Sequence, residues 1–562
     1  MLAVAIGSFV TLTAVGLIAL IRLCTNLAFH GTVSFAEARP DFTTWGAWGI
    51  AVPVVGGLII GVMARWGSPA IRGHGIPEAM QAIGTADSRI PGRAAILKPL
   101  SAAISIGTGG PFGAEGPIIA TGGAIGSLVG QWLPSSPVQR KILLAAGAAA
   151  GMTAIFGTPL AAVLLAIELL LFEYRGRSFL PVALAAGTAM ALRSCFHEPL
   201  PMFPLEFSAV PDLPVSFGAL VIGGFCGLLS VGITKAVYAV EDAFEKLPLH
   251  WMWWPALGGI AVGLIGWYDP RTLGVGYDNL RTLLDGHLAV AAIAMLGVAK
   301  FCSWVIALGS GTSGGTLAPV MTVGGAFGAL AAHAVHGVPG FEGFPIGLGV
   351  LIGMAATFAG ASRAFLASVA FAYEATHATA SFGPLLLGCG AAVLVSRVLM
   401  RETIMTEKLA RRGVRIPSDY EPDFLHALAV QAVMETGPLT ARPDDTVAEL
   451  AARLGTIGSP WHDVRLIPVT DEAGTLLAVL SRADLFDALE ASPSITALEA
   501  GVLKPVTIHP EQPVSEAVDR MIRHSIGRLP VVDRSAAPKL IGLITRRAIL
   551  DARKHQLDSE VH

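Results

Sequence analysis

Glu115 stands in Gly-Ala-Glu-Gly-Pro at 113–117, and between Lys98 and Arg140 it is the only charged residue. Its segment shares the form Gly-x-x-x-Pro with Gly-His-Gly-Ile-Pro at 73–77 and Gly-Thr-Leu-Ala-Pro at 315–319. Proline suits the first turn of a helix, where its missing N–H is not needed. Glycine lets the backbone approach a ligand closely. The unpaired first-turn N–H groups and the positive end of the helix dipole then favour an anion. A single such segment reads as an ordinary turn before a helix. Three in one apolar region, two of them related by an internal repeat, read as a shared anion site. A carboxylate among those amides would mimic the anion and occupy its place, and protonation would free the site. A charge held in apolar surroundings is costly and is by default functional. The bland alternative is a carboxylate that caps its own helix.

The elements that must position these segments are apolar. Of 562 residues, 53% are hydrophobic and 14% charged, against roughly 25% charged in a soluble domain. The 65 glycines agree with membrane helices, where Gly is more frequent than in soluble ones. The opening run Met1–Ile21 lacks a basic leader and a small-residue cleavage site, so a membrane helix is expected there rather than a signal peptide. Further membrane-length runs are Ala47–Val62, Val215–Val237, Leu288–Leu308 and Phe382–Leu399. Thr108–Ala120 and Ser310–Met321 are too Gly-interrupted to span as single helices. Broken helices of this kind mark ion or substrate sites.

The apolar part repeats. Pro117 and Pro319 fix an offset of 202 (319 − 117 = 202), which also aligns Ile118–Gly126 with Val320–Gly328 and Phe156 with Phe358. After a small insertion Glu168 falls opposite Glu374. Two homologous halves with corresponding broken helices follow. From about Met405 the charges become regular. There, Arg465–Val469 with Ala478–Asp484 is echoed by Arg528–Val532 with Gly542–Ala548. Each tail unit reads strand, turn, strand, helix, opened by a strand and an amphipathic helix in Pro438–Leu454 and Pro505–Ile522. The expected domains are a transmembrane unit at 1–406, a linker at 407–428, and two small α/β units at 429–490 and 498–556.

Composition also excludes. A net charge of −3 gives no footprint for nucleic acid. The five cysteines are scattered in or beside apolar segments, without metal or disulfide spacing. No His, Cys and carboxylate cluster has ligand spacing, so no metal and no enzymatic chemistry is expected. A carrier for another solute that shares only the half-helix architecture is the competing class.

The motif set resembles the CLC family of chloride channels and chloride/proton antiporters, with a tail similar to a CBS-domain pair. Gly73–Pro77 resembles that family's Gly-Ser-Gly-Ile-Pro, Gly113–Pro117 its Gly-Lys/Arg-Glu-Gly-Pro, and Gly314–Pro319 its Gly-Gly-Ile-Phe-Ala-Pro. Lys98 matches a basic residue upstream of the gate. The resemblance implies an all-α polytopic inverted-repeat fold with helices broken at mid-membrane, followed by an α/β CBS pair. It also implies a homodimer in a lipid bilayer, with one anion pathway per subunit gated by Glu115. Carried over residue by residue, the chloride-binding positions are Gly73, His74, Gly75, Ile76, Gly113, Ala114, Gly116, Thr316, Leu317 and Met405.

Several positions depart from the family pattern. His74 replaces the anion-coordinating serine; either its imidazole donates to the anion or only the backbone does. Met405 replaces the central tyrosine and brings no O–H donor. Leu317 replaces a phenylalanine and keeps the wall apolar. Leu169 stands where many antiporters carry an internal proton glutamate. This favours a channel, or an antiporter with another internal route, for which Glu168, Glu173 and His74 are the substitutes. Glu168 has a structural reading through its mate Glu374. In the tail, Ser481 with Asp484, and Thr545, match positions that hold the ribose of an adenine nucleotide, whereas Ala548 lacks the second carboxylate. No cofactor is otherwise required. Nitrate or bicarbonate are alternative anions. The expected location is a prokaryotic plasma membrane with a cytoplasmic tail.

Overall fold

A computed structural model describes residues 1–196, 201–207, 212–414, 425, 428–456 and 458–560. The chain divides into two units, Met1–Tyr420 and Glu421–His562.

The first unit is helical. Among the described residues seven helices are long and apolar enough to cross a membrane. The expected runs overlap helices Leu2–Thr25, Ala51–Trp66, Leu213–Glu245, Val290–Gly309 and Phe382–Leu399, and those expected from Met1, Ala47 and Leu288 begin one to four residues ahead of their helix. The two Gly-rich interruptions are breaks. Helix Gly92–Gly107 ends before helix Glu115–Trp132, and Val290–Gly309 ends before Leu317–His336. Glycine allows the helices on either side to touch backbone to backbone. A Cβ on Gly122 would lie 2.2 Å from the Gly147 carbonyl, and one on Gly324 would lie 2.5 Å from that of Gly353. With no hydrophobic drive between helices in lipid, such close packing is the main source of association.

The repeat is visible as reciprocal capping. The Glu168 carboxylate accepts the N–H groups of Leu366 (2.9 Å) and Ala367 (3.0 Å). The Glu374 carboxylate accepts those of Leu160 (3.0 Å) and Ala161 (2.8 Å). Each half thus satisfies the first-turn donors of a short helix in the other, Pro159–Ala166 or Phe365–Thr376.

Among the described residues the tail holds six strands: β1 Glu435–Thr436, β2 Leu466–Thr470, β3 Leu476–Ser481, β4 Val502–Leu503, β5 Arg528–Val532 and β6 Leu540–Thr545. They form two three-stranded sheets, ordered β1-β6-β5 and β2-β3-β4. The units therefore exchange edge strands. β1, ahead of the first hairpin, pairs with β6 of the second, and β4 pairs back with β3. The opening strands expected in Pro438–Leu454 and Pro505–Ile522 are reduced to single parallel bridges, Ala441 to Val469 and Ile508 to Val531. The amphipathic helices that follow are present as Val447–Gly455 and Val514–Arg523.

The expected linker at 407–428 is not all linker. Helix Glu407–Arg411 packs in the first unit, where Arg411 pairs with Asp242 and Arg412 donates to Gln81 at 3.0 Å. Residues 415–424, 426 and 427 lie outside the described residues.

Candidate functional site

The second and third Gly-x-x-x-Pro segments meet head to head. Gly113 N–H donates to Gly315 O at 3.2 Å, and Gly315 N–H donates to Gly113 O at 3.0 Å. The pair differ by 202 residues, the repeat offset, so this exchange lies on the pseudo-two-fold axis of the unit. The first segment packs against both: a Cβ on Gly116 would lie 2.3 Å from His74 O and 2.8 Å from Gly315 Cα. Three helix N-termini therefore converge, at Ile76, Glu115 and Leu317. Their first turns leave the N–H groups of Ile76, Gly116 and Leu317 without intrahelical acceptors, as any helix start does. The proline that follows each removes a donor the helix would otherwise orphan.

Three of the expected anion donors are already committed. Gly73 N–H donates to Thr312 O at 3.3 Å and Gly113 N–H to Gly315 O. Gly75 N–H donates to Glu78 Oε2 at 2.8 Å, in a capping arrangement. The physical reason is common to all three: a buried amide is satisfied by the nearest acceptor. Here the acceptors are the partner segment and a carboxylate one turn ahead. Of the donors carried over from the family, these three drop out.

Glu115 is fully buried, and its carboxylate lies across the meeting point. A Cβ on Gly113 would fall 1.7 Å from Glu115 Oε2. Oε1 accepts a hydrogen bond from the Tyr277 hydroxyl. Oε2 has no hydrogen-bond partner among the described residues. Tyr277 was not among the residues expected from sequence. It is held edge-on by Phe156 and Phe203, with ring centroids 5.9 Å away in each case.

The turn that carries Tyr277 is a fourth cradle, also missed. Gly274-Val275-Gly276-Tyr277 is the repeat mate of Gly73-His74-Gly75-Ile76 (274 − 73 = 201), without its proline. Both turns place two glycines at positive φ: 87° and 94° at Gly73 and Gly75, 63° and 79° at Gly274 and Gly276. Each is tied by a buried lysine. Lys98 Nζ donates to Ile71 O (2.8 Å) and Gly73 O (2.7 Å). Lys300 Nζ donates to Thr272 O and Gly274 O, both at 2.9 Å. The lysines are themselves mates (300 − 98 = 202), a signal that the repeat offset could have supplied.

Gly75 also borders a cavity of about 500 Å³ that Glu115 does not line. Arg72, Lys98, Lys408 and Arg412 line it together with Glu78 and Glu241. Arg72 stacks on Trp251 and Trp254, 4.8 and 5.6 Å from the ring centroids. Cations in a recessed wall raise the local anion concentration. His74 is buried, and its Nδ1 has no hydrogen-bond partner among the described residues. Met405 is buried in a turn held by Thr403, whose hydroxyl accepts Met405 N–H at 3.2 Å. Behind that turn, the Tyr238 hydroxyl donates to Ile404 O at 2.9 Å.

The two substitute proton carboxylates, Glu168 and Glu173, are engaged elsewhere. Both Glu168 oxygens are used in capping, Leu169 is buried and apolar, and Glu173 accepts the Ser178 hydroxyl at 2.6 Å. In the tail, Ser481 and Asp484 cap their own helix reciprocally: Asp484 N–H donates to Ser481 Oγ at 3.1 Å and Ser481 N–H to Asp484 Oδ2 at 3.2 Å. The Thr545 hydroxyl accepts Ala548 N–H at 3.1 Å.

Comparison with known proteins adds to this geometry. Residues 56–397 match the voltage gated chloride channel family, and residues 430–491 and 502–555 match the CBS domain. The chain is 28% identical over 408 residues to a putative chloride channel protein ClcB-like of Ralstonia nicotianae, covering 70% of this chain and 92% of that one. It is 28% identical over 387 residues to a voltage-gated ClC-type chloride channel ClcB of Escherichia coli, covering 68% and 91%. A solved slow cyanobacterial Cl−/H+ antiporter superposes with a TM-score of 0.65 at 22% identity, over 73% of this chain and 97% of its own. A eukaryotic CLC transporter does so with a TM-score of 0.61 at 19% identity, over 97% of each chain. These two likenesses bear on the fold.

Proposed function

The chain belongs to the voltage-gated chloride channel (CLC) family, and we propose that it passes chloride or a similar small anion through a pathway closed by Glu115. One observation carries this reading: a buried carboxylate lies across the meeting point of the half-helix N-termini. An anion would be favoured there by the same amides and dipoles. Glu115 excludes it while charged and admits it when neutralised.

The test is direct. In proteoliposomes, wild-type chloride flux should rise as pH falls. Glu115→Gln should flatten that dependence and raise flux at neutral pH by about tenfold, since a neutral amide no longer competes as an anion. Flux with unchanged pH sensitivity in Glu115→Gln would sink the gate.

Among the two transport modes we favour a channel. Leu169 offers no proton site, and the carboxylates of Glu168 and Glu173 are held in structural hydrogen bonds. The reversal potential under opposed chloride and proton gradients is expected to follow chloride alone. A value displaced toward the proton potential means an antiporter, with His74 as the first residue to substitute.

The proposal extends to a homodimer in a bacterial plasma membrane with the tail in the cytoplasm, on the family likeness. The tail is proposed to regulate transport. Burial and the neighbouring Arg465 guanidinium lower the pKa of Arg528, while Glu435 opposes them. Two arginines at mated positions in the CBS pair would be relieved by an anionic ligand, which supports an adenine nucleotide there. Calorimetric heat on adding ATP or AMP to the full chain supports that ligand, and a flat titration overturns it.

A further inference from the structure

We propose that Tyr277 is the latch of the gate: its hydroxyl holds the Glu115 carboxylate in the pathway, so that opening must break this bond as well as neutralise the charge. The inference rests on the gate role of Glu115.

The hydroxyl is placed by parts of the chain that are far apart in sequence. Lys300 fixes the backbone of the Gly274–Gly276 turn through two carbonyls. Phe156 and Phe203 each pack edge-on against the ring, and Phe156 is itself backed by Phe371 at a centroid distance of 4.7 Å. Phe203 is anchored by its N–H to Ala375 O at 2.8 Å. On the outer side, the next residue, Asp278, pairs with Arg39 at 2.8 Å and Arg281 at 3.2 Å. A donor framed this way selects one position of a flexible carboxylate. The fold alone does not need it, because the mate of Tyr277 in the other half is Ile76, whose side chain has no donor. Two backbone turns of the same construction thus differ in one hydroxyl, and that hydroxyl is bonded to the gate.

The chemistry couples the two events. A phenol donating to a carboxylate makes a charge-assisted bond, roughly twice as strong as its neutral counterpart. One proton on Glu115 therefore removes the charge that competes with the anion and weakens the latch together. Around the pair, Lys300 faces Glu115 from helix Val290–Gly309, and Arg193 faces Tyr277 from the end of helix Gly176–Arg193. The Arg193 guanidinium also donates to Ala154 O at 3.1 Å. Neither cation takes over the hydroxyl's place, since the carboxylate's one hydrogen bond to a side chain comes from Tyr277 among the described residues.

Tyr277→Phe keeps the ring and removes the bond. Chloride flux into proteoliposomes at neutral pH is expected to rise about tenfold, and its pH midpoint to move about one unit to the alkaline side, the equivalent in proton affinity. In a Glu115→Ala background, adding Tyr277→Phe should change neither. A 3-fluorotyrosine at 277, of nearly the same shape and a stronger donor, should move the midpoint to the acid side, and keeps the test alive if the Phe variant does not fold. An unmoved midpoint in both variants overturns the latch, as does an equal rise in the Glu115→Ala background. If Glu115→Gln retains its pH dependence, the gate itself has failed. If Glu115→Gln behaves as expected and the Tyr277 variants do not, only the latch has.

Discussion

Gly315→Ala should carry no measurable chloride flux in proteoliposomes, while Gly232→Ala in the same preparation should transport at the wild-type rate. A Cβ on Gly315 would stand 2.5 Å from Gly113 O and 2.9 Å from Gly116 N. Both are backbone atoms, so no rotamer change can clear them. The segments must separate, and the exchanged bonds at 3.0 and 3.2 Å then lengthen or break. Overpacking costs about 1–3 kcal/mol, and two buried backbone bonds add about 1 kcal/mol each. Against a rate that changes tenfold per roughly 1.4 kcal/mol, a loss of about a hundredfold or more follows. Anion binding suffers beyond stability, because the Glu115 and Leu317 helix starts move apart and no longer aim at one point. Gly232 lies on helix Leu213–Glu245 with no atom within 4 Å of the added methyl. Alanine there gains up to about 1 kcal/mol of helix propensity. Wild-type flux in Gly315→Ala would show that the two N-termini need not touch for transport.

The sequence made the frame legible because the frame is repetitive. An offset of 202 paired Gly113 with Gly315 before any geometry, and these are the residues that exchange hydrogen bonds on the axis. The structural reading of Glu168 through Glu374 was legible for the same reason: reciprocal caps require reciprocal residues. Turn chemistry was readable as helix starts but not as bonding. Nothing in Gly-His-Gly-Ile-Pro says that Glu78 takes the Gly75 amide, because a capping carboxylate and an anion compete for one donor and only placement decides. Tyr277 stayed hidden for another reason. Its turn has lost the proline and reads Gly-Val-Gly-Tyr-Asp, so a search for Gly-x-x-x-Pro passes over it. Its partner is 162 residues away along the chain, and no local pattern encodes such a contact. In the tail, hairpins with paired alternation were legible. The exchange of β1 and β4 between units was not, since two-residue strands carry no period to read.

Lys300→Met should destabilise the protein and also shift its gating, whereas Lys98→Met should only destabilise it. Each ammonium is buried and donates to two carbonyls of a glycine turn. Removing it leaves both carbonyls unpaired, at about 1–3 kcal/mol each. The relief of no longer burying a charge works the other way and can cancel such a loss in a site that repacks. Here repacking is limited, because Gly274 and Gly276 sit at positive φ and the ammonium is the tie that holds the turn. A net loss is therefore expected for both variants, read as a fall of about 2–4 °C in the unfolding midpoint for each kcal/mol. Lys300→Gln should recover part of it, since an amide supplies two N–H donors for two carbonyls. The gating difference comes from what the two turns carry. The turn held by Lys300 ends in Tyr277, and loosening it frees the hydroxyl from Glu115, so the folded fraction should show the alkaline-shifted flux profile of Tyr277→Phe. The turn held by Lys98 ends in Ile76, whose side chain has nothing to donate to Glu115, so its flux profile should keep the wild-type midpoint at reduced yield. Equal midpoint shifts in the two lysine variants would place the control of the gate in the shared backbone frame rather than in the one hydroxyl by which the halves differ.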